Sequence, residues 1–170
     1  MPVSIFDACI PTFLQMLTCQ RAILDKAEAY AAERKIDESI LLNATLFPDM
    51  FPLKRQIQIM TDFCSRAAAR LSDSEIPSSD DTEESFSDLK QRVTGTLDFI
   101  SRLNPEQFQG SETKTYDIPL GGGRKKKMSG QNYLFHFVLP NVIFHASTAY
   151  GILRHNGLQV GKLDFIRPPK

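Results

Sequence analysis

Three polar side chains in this chain have the type and spacing to act together chemically, namely Gln56, Asn141 and His145. Asn141 and His145 stand four residues apart in the stretch from Leu139 to Gly157, which reads as an amphipathic helix, so the two share a face. A metal-binding helix would carry two histidines at that spacing, and here one of the pair is an amide. Imidazole suits zinc, nickel and iron, but amides are poor partners for those ions. One histidine with two amides would hold a divalent metal only weakly, and no cofactor is expected. The commoner arrangement of such groups is a buried network in which Asn and Gln satisfy His145 and one another.

Gln56 reaches this set from another predicted helix. There the apolar stripe centres on Ile57, Met60 and Cys64. Gln56 lies about 60° from that centre on a helical wheel, whereas Asp62 points nearly opposite, toward solvent. The other histidines do not join. His136 is about half a turn out of phase with His145, and His155 sits at the helix end.

Four long helices are needed to position these groups. The first is predicted from Ser4 or Pro11 to Lys35, with Phe13, Leu17, Leu24, Ala27 and Ala31 on its apolar stripe. Pro11 is tolerable there only in a first turn or at a kink. Asp37 caps a short turn. The irregular stretch from Leu42 to Pro52, with Leu46, Phe47, Met50 and Phe51, is expected to pack over one end of the bundle. A second helix spans Pro52 to Ser72, and a third Thr82 to Leu103, with Asp80, Asp81, Glu83 and Glu84 near its positive end. Between the third and fourth helices, Thr113 to Met128 alternates around Gly121-Gly122-Gly123 and reads as a β-hairpin lying outside the core. Ser129 caps the fourth helix and Gly157 ends it. The expected fold is all-α: one domain over residues 1–170, a four-helix bundle with a small β-hairpin insertion.

Composition narrows the function. The chain has 170 residues, 42% hydrophobic and 24% charged, ordinary for a soluble globular protein. Lys+Arg and Asp+Glu cancel at 20 each, which argues against a nucleic-acid partner. Residues 131–153 hold no Asp, Glu, Lys or Arg, but Asn132, His136, Asn141, His145, Ser147 and Thr148 make a membrane span costly. The N-terminal stretch lacks a basic region, so no secretory signal is expected, and Cys9, Cys19 and Cys64 suit a reducing cytoplasm. None is a clear nucleophile, and Cys64 lies on an apolar stripe where a thiolate is disfavoured. Gly121 to Lys127 lacks the context of a phosphate loop and reads as a solvated hairpin tip, and Arg154 and His155 complement a helix dipole. Ile5, Phe6, Ile10, Leu14 and Ile23 exceed what one internal face requires, so a homodimer through helix faces is expected. The alternative is that Leu42–Phe51 and the C-terminal tail cover them.

Several blocks carry a family resemblance. They are Asp49-Met50-Phe51-Pro52-Leu53 with Gln56, Leu139-Pro140-Asn141 with His145, Ala149 through Gly157, and Gly161-Lys162-Leu163-Asp164-Phe165. With these the chain resembles a branch of the DinB/YfiT-like superfamily. The resemblance implies a four-helix bundle, often dimeric. It also implies a three-histidine metal site in the metal-binding relatives, with one ligand from helix two and two from an HxxxH pair on helix four. Only His145 matches that ligand pattern here, with Asn141 at the partner position and Gln56 the nearest helix-two candidate. Three functions remain open: a bundle with a small-molecule pocket around His145 and a degenerate metal site, a metal-dependent hydrolase or thiol transferase of the DinB/YfiT-like type, or a non-catalytic interaction or structural protein.

Overall fold

Ser4 starts the first helix by accepting the Asp7 N–H on its hydroxyl, and α1 then runs Ile5–Arg34 to a left-handed Lys35. The computed structural model describes residues 3–167; the Pro168-Pro169 pair lies outside the described residues. Pro11 sits inside α1, past its first turn, where it forgoes one bond of the helical ladder. Asp37 caps the short α2 (Glu38–Leu42), and α3 (Leu53–Leu71) buries the stripe of Leu53, Ile57, Met60, Cys64, Ala67 and Leu71.

The third long helix, α4 (Phe86–Ser101), begins four residues later than the sequence suggests. Ser85 is its cap, accepting the Asp88 N–H, and the Phe86 N–H goes to the Glu38 carboxylate. The acids ahead of it do not simply stand at the helix end. Glu84 pairs with Lys54 at 2.9 Å, Asp81 with Arg55, and Glu83 with Arg92 at 2.8 Å. Cations on α3 and α4 thus draw the acidic segment back over the bundle as a loop without regular secondary structure.

A 3₁₀ turn (Pro105–Phe108) follows α4 and leads to the hairpin of β1 (Thr115–Pro119) and β2 (Lys125–Ser129). The strands pair antiparallel, Thr115 with Ser129 and Pro119 with Lys125. Gly121, Gly122 and Gly123 all have positive φ, at 82°, 58° and 74°, a run that glycine alone adopts without strain. The hairpin is not wholly outside the core, because Ile118 is buried against the bundle. Its alternation needs one inward face, and the segment Gly130–Tyr133 packs against both strands.

The last long helix has three parts: α5 (Gly130–Tyr133), a π turn (Leu134–Val138) and α6 (Leu139–His155). The π turn sits just before Pro140, whose ring would crowd the carbonyl four residues back in a regular helix. A short α7 (Lys162–Ile166) closes the described chain. α3 packs on α6 and α4, and α1 packs on α4 and α7. The architecture is an all-α bundle with a small β-hairpin.

Of two expectations about apolar surface, one is overturned and one holds only in part. Ile5, Ile10 and Ile23 are buried, and Phe6 and Leu14 pack on the core. Phe6 meets the Phe108 ring edge-on at 5.4 Å. Gln15 and Cys19 donate to the carbonyls of Ile166 and Arg167, so the C-terminal segment covers part of α1 within one chain. These residues therefore give no reason for a dimer. Conversely, the Leu42–Pro52 segment covers the bundle only in part: Leu42 is buried and Leu46 lies against Gly151, but Phe47 and Phe51 are exposed. Leu41 of α2 is buried beside Leu42.

Candidate functional site

The apolar stripe of α3 leaves Gln56 at its edge, and there the side chain is 1% exposed. Its amide nitrogen donates to the Phe51 carbonyl at 2.9 Å, five residues back across the start of the helix. That bond fixes which end of the amide faces inward. The oxygen Oε1 therefore points to His145 on α6, 2.7 Å from Nδ1. An amide oxygen only accepts, so Nδ1 carries the ring proton. The lone pair is left on Nε2, which takes no partner among the described residues. Nε2 is not sealed from water either, since among the described residues the buried polar side-chain atoms without a partner are Gln20 Nε2 and Tyr116 Oη.

Aromatic rings hold the imidazole in place. Phe63 stacks on it at 6.1 Å between centroids, and Phe144 lies edge-on at 5.2 Å. Burial, and after it the positive charge of Arg55, keeps the pKa of His145 below the ordinary histidine value. The ring is thus a neutral base of defined tautomer. A histidine whose second nitrogen is tied down in this way can accept a proton, accept a hydrogen bond or ligate a metal through the free nitrogen.

The structure brings Gln56 and His145 together but leaves Asn141 out. The Asn141 amide donates to the Phe137 carbonyl at 2.7 Å, four residues back on its own helix. Short amide side chains compete for backbone groups in this way. A metal of the three-histidine type does not fit this donor set. Gln56 is spent at both ends, Asn141 offers only an amide oxygen, and the described residues contain no cluster of three His, Cys, Asp or Glu. His136 and His155 are exposed and stand apart from the site. The cysteines are buried; burial pushes the Cys9 and Cys64 thiols up, away from the thiolate form.

Sequence reasoning missed a buried arginine that docks on the outer face of α3. Arg92 of α4 has a side chain only 4% exposed, donating to Asp62 at 2.6 Å, Glu83 at 2.8 Å and the Thr61 hydroxyl at 2.8 Å. Burial disfavours its charge, but Glu83 and Asp62 outweigh that and hold its pKa above the ordinary value. Asp62 is therefore no solvated surface residue, as the α3 wheel suggests. A helix wheel for α3 cannot show a cation arriving from α4.

The helices and the hairpin make this a DinB-like four-helix bundle. It resembles the crystal structure of a DinB family member protein from Shewanella denitrificans, at 37% sequence identity and a TM-score of 0.88, over 97% of this chain and 94% of that one. The chain belongs to the family described as a domain of unknown function, DUF1993, whose pattern matches residues 5–166. No curated protein matches it.

Proposed function

We propose that this bundle binds a small organic molecule at His145, with Nε2 as hydrogen-bond acceptor or base. The observation that carries this reading is the relay Phe51 carbonyl, Gln56 amide, His145 Nδ1. A purely structural histidine needs one satisfied nitrogen, whereas this relay also leaves a fixed lone pair beside exposed Phe144. The test is a thermal-shift screen of metabolites on the wild type and on His145→Ala. A ligand whose shift vanishes in a folded His145→Ala supports the pocket. Hits that never depend on His145 would overturn it. If His145→Ala does not fold, His145→Gln is screened in its place.

A structural role for His145 is the second reading, favoured by its contacts with Phe63 and Gln56. Metal-dependent hydrolysis or thiol transfer of the DinB type ranks below both, because the donor set suits a transition metal poorly. Elemental analysis of protein purified without a histidine tag tests that ranking. Stoichiometric zinc or nickel surviving dialysis would reverse it.

The homodimer and the cytoplasmic setting belong to the same proposal. No described helix is long and apolar enough to cross a membrane. Exposed Phe135, Ile143 and Phe144 on the last long helix offer a pairing surface in place of α1. Light scattering across a dilution series tests it, and a mass near 19.2 kDa at high concentration would exclude a stable dimer.

A further inference from the structure

On the other side of Phe63 from the packed core, α3 carries Arg55, Ile59, Asp62, Arg66 and Arg70. At 100° per residue these fall within an arc of roughly 80°. They form one wall of an open cleft of about 210 Å³. Phe63 joins that wall, Tyr133 and Phe137 of the last long helix make the second, and Ile118 and Pro119 of β1 the third. His145 does not line it. The cleft is cationic at one edge and flat and apolar at the other.

Its charges do not cancel internally. Arg55, Arg66 and Arg70 line it against a single carboxylate, Asp62, and Arg55 has a second partner in Asp81 outside the lining. Arg92 draws on Asp62, Asp81 and Glu83. Arg70 has no carboxylate partner among the described residues. It donates to the Tyr133 hydroxyl at 3.1 Å and lies over the same ring at 6.0 Å. Arg66 has only Asp62, at 3.0 Å, and shares it with Arg92. The hairpin adds charge beside the opening. Lys126 and Lys125 stand opposite Ile118 and Pro119 on the paired strand, and both are exposed.

An ordinary helix-end role accounts for Arg70, which lies in the last turn of α3. It does not account for Arg55, which lies in the first turn and is held there by Asp81 and Gln58. Nor does it account for arginines along one face that closes on aromatic rings. Guanidinium groups match the planar oxygens of carboxylate and phosphate, and the rings match a flat apolar body. The volume lies below the usual range for drug-sized ligands.

We infer that this cleft is a binding site for a small organic anion, a carboxylate or phosphate monoester on a flat apolar body. Its acid group docks on Arg66 and Arg70, and its body lies between Phe63 and Phe137. The basic hairpin raises the local concentration of such anions.

Calorimetric titration of the full chain with phenyl phosphate, inorganic phosphate and benzyl alcohol tests this. Phenyl phosphate should bind about tenfold more tightly than benzyl alcohol, since a charge-assisted hydrogen bond carries that much, and about tenfold more tightly than inorganic phosphate, since burying an aromatic ring is worth at least as much. Arg66→Met and Arg70→Met should each weaken it about tenfold. The Arg66 side chain is 51% exposed, so Arg66→Met folds even if Arg70→Met does not. Equal binding of benzyl alcohol would overturn the anion site. Equal binding of inorganic phosphate would overturn the apolar wall. Wild-type affinity in a folded Arg66→Met would overturn the assignment to this cleft.

Discussion

Replacing Gln56 by leucine should cost about 2 kcal/mol and release the tautomer of His145. Leucine keeps the apolar bulk beside Ile57 and Met60 but removes both ends of the relay. On one side the Nδ1–H of His145, held at 2.7 Å in the wild type, loses its acceptor in a buried place. An orphaned buried donor costs roughly 1–3 kcal/mol. On the other side Phe51 is exposed, so water replaces the amide on its carbonyl at little cost. For a chain of this length about 2 kcal/mol corresponds to a fall of ~4–8 °C in Tm. Differential scanning fluorimetry gives that shift, and 15N NMR of the imidazole gives the tautomer. The wild type should show a protonated Nδ1 and a bare Nε2 at neutral pH. A protonated Nε2 in the wild type, or an unchanged Tm and tautomer in Gln56→Leu, would refute the relay.

Three other outcomes follow from the same structure. His145 should impose a pH dependence on stability: the unfolded chain binds its proton near the ordinary value of about 6.5, the folded chain only at lower pH, so stability is full above that value and lost as pH falls through the folded pKa; urea melts across this range should lose the segment in His145→Gln. Arg92→Met should destabilise by about 3 kcal/mol in denaturant melts, because it leaves buried Glu83 and half-buried Asp62 without their common cation; a change below about 1 kcal/mol would show that Gln58 and Arg66 suffice for them. Gly130→Ala should be poorly tolerated, since its added carbon would fall 1.9 Å from the Ser111 carbonyl oxygen and 3.1 Å from Leu71; overpacking against backbone costs about 1–3 kcal/mol or more by the same melts.

The parts of this molecule that follow a local period are readable from the sequence. The buried stripe of α3, the Ser129 cap, the glycine turn and the Gly157 stop each rest on residues a few positions apart. What escapes depends on groups far apart in the chain. Asp62 lies on the polar side of its own helix, yet Arg92, thirty residues on, half buries it. The start of α4 is misplaced by sequence because four acids resemble a helix N-terminus, while Ser85 and the cations of α3 decide the matter in three dimensions. Ile5, Ile10 and Ile23 look surplus only because the 3₁₀ turn and the C-terminal segment that help cover α1 lie a hundred residues or more away. Of the polar trio, Gln56 and His145 meet because both faces are set by regular helix. Asn141 follows a π turn and a proline, where no wheel predicts that its amide will turn back on its own helix.

The π turn also acts as an angular spacer. Relative to uninterrupted helix, its one surplus residue turns everything before it by about 100° about the shared axis. Tyr133 and the hairpin that feeds it lie before the turn, and His145 lies after it. A chain one residue shorter between Tyr133 and Pro140 would keep His145 on Gln56. Its arginine cleft would lose the Tyr133 wall, and β1 would swing with it. Related sequences can therefore be sorted by a single-residue gap at this place. The histidine is indifferent to that gap, but the cleft exists only on one side of it.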